Sequence, residues 1–223
     1  MRYILRLMGE TEINFTHAGH GTGRMRAWKQ KPFARVKLNH LSERNFLMHR
    51  NPLDTAVSVY FQIHKHELPK MNKRNLSYIK SGLLLKLPPQ NIQRFVLHPV
   101  FGIENICKFN RAWLDYFSEH LPDCPIISYE DATSDLRAVI QLFERYLEIS
   151  ECDIDEILSK CHFSEMKKVE LQGKSNELRL HGPSKDPNAM KVRKGIVQGY
   201  TEYLDEDTIK KAQQIAHAYG FEV

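Results

Sequence analysis

"MHRNPLDTAVSVYFQ", residues 48–62, is the stretch on which the fold turns. A short apolar run, NFLMH (45–49), ends in Arg50, then Asn51-Pro52, then an amphipathic helical pattern with Ser58 on its second turn. Asn51 has the side chain to cap a helix, and Pro52 suits the first helical position with its φ preset. Asp54 falls in the first turn, where the macrodipole favours a negative charge. The stretch therefore reads as a strand-to-helix turn. Arg50 then lies at the carboxyl end of its strand, where open α/β sheets bind ligands, and Ser58 lies about 9 Å up the helix. An Arg fork and a Ser hydroxyl at this spacing can converge on one anion and make a phosphate site without a glycine-rich loop. The same residues equally suit an Arg paired with a local acid and a Ser that is simply buried. Spacing alone does not separate the two readings.

The 223 residues, 42% of them hydrophobic, are enough to bury one substantial core, and a single domain over 1–223 is the expected organisation. No apolar run nears the roughly 20 residues that span a bilayer, and the opening MRYILRLMGE is too short and too charged for a signal peptide. The expectation is no membrane span and a cytoplasmic location. Cys107, Cys124, Cys152 and Cys161 lack CxxC spacing, which favours buried free thiols over a disulfide framework or a zinc site. His64 and His66, ahead of Glu67, are a single His-x-His pair and too sparse for a metal site, so no metal is expected. The net charge of +5 and pI near 8.9 suit an anionic ligand, though surplus lysines also make an ordinary solvated surface. No helix concentrates Arg and Lys with interleaved aromatics, so nucleic acid is not an expected partner.

A second apolar run, PIIS (125–128), also passes directly into a helix start, and both runs read as buried parallel strands. The helix after it lines Leu136, Val139, Ile140, Phe143 and Leu147 along one face, and an earlier helix lines Ile106, Phe109, Trp113 and Phe117. These stripes are core. A polar stretch containing Gly and Pro, from about 172 to 187, separates the body from a last helix near Glu206 to Tyr219, with Asp205 placed to cap it and Gly220 to end it. Strands alternating with helices imply an α/β fold with a parallel sheet.

Residues 50–58, RNPLDTAVS, resemble the 3′-phosphate motif of the sulfotransferases that use 3′-phosphoadenosine 5′-phosphosulfate (PAPS), in which an Arg and a Ser at this spacing grip the 3′-phosphate. VRKGIVQGY (192–200) resembles the family's RKGxxGDW segment, so the resemblance gives Arg193, Lys194 and the Gly195 amide to the same phosphate. FSEM (163–166) resembles a Phe-x-x-Met stretch whose Phe stacks on adenine, which implies that role for Phe163. Tyr129, at the end of PIISYED, resembles a Tyr of the nucleotide pocket. The four matches occur in the family's order and cover most of the chain. The implied fold is a three-layer α/β domain of the P-loop NTPase-like sulfotransferase kind, a parallel central sheet flanked by helices. Its ending and early Thr-His are similar to a bacterial-type branch. The chemistry is coherent, since capturing an adenosine bisphosphate needs clustered Arg and Lys plus an aromatic platform, with charge-assisted hydrogen bonds of roughly 1.5 to 3 kcal/mol each.

The resemblance implies sulfuryl transfer from PAPS to a hydroxyl or amine, with a base to take the acceptor proton. FTH (15–17) resembles the family's Lys-Thr-His segment, which makes His17 the candidate base, with His20 and His40 behind it; Phe15 stands where many members carry Lys. The family's Lys-x-Gly-Thr loop for the 5′-phosphosulfate is not found, and RYILRLMGE resembles the later part of the helix that follows it. The expectation is thus a sulfotransferase domain without its first strand and sulfate-side grip. Gly19-x-Gly21-x-Gly23 is no substitute, because no Lys follows at P-loop spacing. The alternative is a catalytically inactive descendant that binds adenosine bisphosphate or a protein partner. A P-loop kinase relative is disfavoured by the missing GxxxxGK[ST] and the presence of RKG. The acceptor, whether sugar, lipid or small molecule, is not legible; residues 64–104, expected to supply much of its pocket, mix basic and apolar side chains.

Overall fold

In the computed structural model, which describes residues 2–9, 44–68, 88–149, 152–172 and 196–223, the turn at Arg50 forms as read: a strand stops at His49 and a helix begins at Pro52. The described elements run α1 (Arg2–Leu7), β1 (Leu47–His49), α2 (Pro52–Phe61), a π-helical segment (Gln62–Glu67), α3 (Ile92–Val96), α4 (Ile103–His120) and β2 (Ile126–Ser128). They continue with α5 (Tyr129–Ser134), α6 (Leu136–Leu147), α7 (Ile154–Cys161), α8 (Phe163–Leu171), a 3-10 turn (Gly199–Glu202) and α9 (Glu206–Ala218). Asn51 caps α2 through its side-chain oxygen, which accepts from the N–H groups of Leu53 (2.9 Å) and Asp54 (3.3 Å). Pro52 occupies the first turn, where its missing N–H costs nothing.

The chain divides into two compact units, Thr16–Ile126 with Gln198–Val223, and Met1–Phe15 with Ile127–Val197. In the larger unit, α2 buries Leu53, Ala56, Val57 and Phe61 against Ile103, Ile106 and Cys107 of α4, Ala212 and Ala216 of α9, and Tyr200, Leu204 and Phe221. Burying each large apolar side chain of this set stabilises the fold by roughly 1.5 to 3 kcal/mol. Gly102 opens α4 where α3 has just ended: a Cβ there would lie 2.7 Å from the carbonyl oxygens of Phe95 and His98 and closer still to that of Val96, so only glycine allows this approach. Asp205 caps α9 by accepting from Thr208 N–H at 2.7 Å, and Gly220 ends it at φ +74°. Arg111 of α4 completes that end, donating Nε to the Tyr219 carbonyl (3.0 Å) and Nη2 to the Gly220 carbonyl (3.0 Å).

β1 and β2 form a two-stranded parallel sheet among the described residues. Leu47 N–H donates to the Pro125 carbonyl at 2.9 Å where the pairing begins. The strands pair as expected but are not buried as expected. β1 is half-buried throughout, and in β2 Ile126 is 42% exposed while Ile127 is 3% exposed. Continuous burial of a parallel strand requires cover on both faces; β1 lies against α4, with Leu47 set against Trp113 and Phe117.

In the smaller unit, Ile4, Leu5 and Met8 are buried, α1 lies against α7, and α7 contacts both α6 and α8. Val139, Ile140 and Phe143 of α6 are buried as their spacing requires, while Leu136 and Leu147 at its ends are half-buried. One helix was expected after PIIS; there are two, because Asp135 stops α5 and caps α6, accepting from Ala138 N–H at 2.9 Å.

Candidate functional site: an arginine, a buried aspartate and a returning backbone

β1 delivers Arg50 to the start of α2, and the capped first turn of α2 places Asp54 four residues on. Arg50 Nη2 lies 3.3 Å from Asp54 Oδ2, with the arginine side chain 28% exposed and the aspartate 2% exposed. Asp54 also receives the chain as it returns from the far end of the sequence: Gln198 N–H donates to Oδ2 at 2.9 Å and Tyr200 N–H to Oδ1 at 3.0 Å. Gln198 adopts a left-handed conformation, φ 60° and ψ 24°, in a turn tight enough for both amides to meet one carboxylate. Tyr200 then enters the core beside α2, and burial, assisted by the Asp54 charge, pushes its hydroxyl pKa up. A carboxylate out of water is costly unless paired and hydrogen-bonded. Here a guanidinium and two amides offset that cost.

Arg50 therefore has the local acid that its spacing allowed, and it keeps partial access to solvent. A guanidinium carries five donors, so pairing one nitrogen with Asp54 is compatible with anion binding. Ser58 is half-buried on the same helix. The structure thus brings Arg50, Asp54 and the backbone of 198–200 together within the larger unit. Tyr129 is half-buried at the first position of α5, directly after β2, and Phe163 opens α8 with its side chain 36% exposed, both in the smaller unit. His17, its fallbacks His20 and His40, and Arg193, Lys194 and Gly195 lie outside the described residues.

The sequence reading missed what Asp54 does. An acid four residues after an Arg at a helix start was a visible pairing signal. Its bonds to residues 144 and 146 positions away were not. His64 has a task that its spacing did not show: Nε2 lies 3.0 Å from the Pro89 carbonyl, in the geometry of a donated hydrogen bond, while Tyr60 donates its hydroxyl to the Gln90 carbonyl at 2.7 Å. The two rings sit 4.4 Å apart and clasp residues 89–90 to the end of α2. Burial pushes the His64 pKa down and Lys65 adds to this, against the raising effect of the Pro89 bond. All four cysteines are free thiols, with Cys107 buried and the other three half-buried, so full burial holds for one of them. No helix among the described residues is long and apolar enough to cross a membrane.

The sulfotransferase domain family matches residues 36–219, which include β1, the Arg50 turn and the returning backbone. Among solved structures, the crystal structure of mouse sulfotransferase SULT7A1 complexed with PAP is similar at 21% identity, covering 79% of this chain with a TM-score of 0.48. The chain spans 57% of that structure's length. No curated protein matches significantly. With most of its length matched by the family, the chain belongs to the sulfotransferase domain family.

Proposed function

We propose that the chain is a single sulfotransferase-like domain over 1–223 that binds 3′-phosphoadenosine 5′-phosphosulfate and acts on a hydroxyl or amine acceptor. The observation that carries this reading is the strand, capped turn and helix that hold Arg50 beside solvent and Ser58 on the following helix, within a span the family matches. In this reading Arg50 and Ser58, with Arg193, Lys194 and Gly195, bind the 3′-phosphate, and Tyr129 and Phe163 serve the adenine. The exposure of Phe163 supports its part, since a ring fixed in the core could not stack on a ligand. The sulfated nucleotide, when bound, supplies the sulfuryl group. His17 takes the proton from the acceptor, so that the acceptor oxygen or nitrogen bonds to sulfur as the sulfur–oxygen bond to the nucleotide phosphate breaks. The finer fold in this reading is the three-layer, P-loop NTPase-like arrangement, of which the parallel pair β1 and β2 is the supporting element.

The test is transfer of radiolabelled sulfate from PAPS to a panel of sugars, lipids, alcohols and amines, by the wild type and by His17→Ala. Label on an acceptor with the wild type only supports both the activity and the base. Label with both proteins removes His17 from its role. A protein that binds adenosine 3′,5′-bisphosphate and labels no acceptor is the non-transferring descendant instead.

A further inference from the structure

We infer that Asp54 is a positioning residue for anion binding at Arg50: it fixes the guanidinium and the Gln198–Tyr200 backbone in one arrangement without touching the ligand itself. The inference rests on the reading of Arg50 as a phosphate ligand.

An acid in the first turn of a helix needs only the dipole to justify it, and it is then free to face water, as Glu206 and Asp207 do at the start of α9. Asp54 is built differently. Its side chain is 2% exposed, too enclosed for contact with a ligand arriving from solvent. Both of its oxygens accept main-chain N–H bonds, at 2.9 Å and 3.0 Å, from a segment remote in sequence. The third partner, Arg50, is the one that reaches solvent. The two amides use two of the carboxylate's roughly four lone-pair sites, which leaves acceptor capacity to orient the guanidinium. At 3.3 Å the ion pair holds the orientation of the fork while the arginine side chain stays 28% exposed. An incoming phosphate finds the guanidinium oriented in advance, which lowers the ordering cost of binding.

The test is a double-mutant cycle on the affinity for adenosine 3′,5′-bisphosphate, using wild type, Asp54→Asn, Arg50→Lys and the double variant, at a temperature where circular dichroism shows all four folded. Lys keeps the charge but has no planar fork to orient. The expected result is a loss of about tenfold for Asp54→Asn in the wild-type background and less than about twofold in the Arg50→Lys background. A merely structural Asp54 would lower affinity by the same factor in both backgrounds, and additive losses overturn the inference. Tighter binding by Asp54→Asn also overturns it, because the carboxylate would then be a competitor of the phosphate. If Asp54→Asn does not fold, Asp54→Glu, which keeps the charge and shifts it by one methylene, takes its place in the cycle. Absence of binding by the wild type overturns the reading of Arg50 and the inference with it, whereas binding with additive losses leaves that reading standing and removes only Asp54.

Discussion

Replacing Asp54 with alanine removes the acceptor of two main-chain N–H groups and the partner of Arg50 in one step. Hydrogen bonds to a charged group contribute roughly 1.5 to 3 kcal/mol each, so the two amides alone account for about 3 kcal/mol at the low end. The Arg50 pair adds less than about 1 kcal/mol, because that side chain is 28% exposed and solvent screens it. Stranding the Tyr200 amide, whose residue enters the core, brings the total to about 4 kcal/mol. For a chain of this size a kcal/mol corresponds to about 2–4 °C, so the melting temperature should fall by about 8–16 °C. Asp54→Asn keeps one acceptor and should lose about half as much. The yardstick is Asn51→Ala, which removes an ordinary helix cap and costs about 1 kcal/mol. Scanning calorimetry of the three variants checks the ordering. A fall of under about 3 °C for Asp54→Ala, or one equal to that of Asn51→Ala, would refute the claim that this carboxylate ties the returning chain to α2.

Two further outcomes follow from the buried titratable groups. His64 has its pKa lowered chiefly by burial, so its neutral form is favoured on folding; the stability this contributes is whole above the unfolded value near 6.5 and is lost as pH falls from there toward the folded pKa. Urea midpoints at about pH 7.5 and about pH 5.5 should therefore diverge more for the wild type than for His64→Gln, which still donates to the Pro89 carbonyl, and equal divergence would remove His64 as the source. Cys107 has its thiol pushed up to about 12 by burial, with Arg111 opposing and Glu104 assisting, so it should resist iodoacetamide at about pH 8 in the folded protein and react on unfolding. Modification of Cys107 at the same rate in both states, read by peptide mass mapping, would contradict its placement in the core.

The parts of this structure that were legible in the sequence act over a few residues. Asn51, Pro52 and Asp205 each serve a helix whose first turn lies beside them, and the apolar stripe of α6 follows from helical spacing alone, whereas the cap at Asp135 that splits α5 from α6 was not read. Arg50 and Asp54 were both visible as a pair at helical spacing, yet the sequence left an anion site and a simple ion pair equally open. The structure forms the ion pair and leaves the arginine side chain 28% exposed, which is compatible with the anion site proposed for it. What sequence spacing could not carry is long-range closure. The bonds from Gln198 and Tyr200 to Asp54 join positions more than 140 apart, and nothing local in GYTE or PLD announces them. The half-exposed strands failed for a related reason, because an apolar run records a preference for burial and not the number of layers available to cover it. Phe163, a core residue by type, lies at the surface at the head of α8, which a lone Phe in the sequence does not announce.

If Arg50 and its surroundings form the proposed anion site for an adenosine bisphosphate, calorimetric titration of the 223-residue chain with adenosine 3′,5′-bisphosphate, repeated with Arg50→Ala, reads it directly. Saturable binding by the wild type and a loss of at least about 2 kcal/mol, some thirtyfold, in the variant are expected. Equal affinity in the two proteins, or no heat of binding from a folded wild type, would contradict the proposed site.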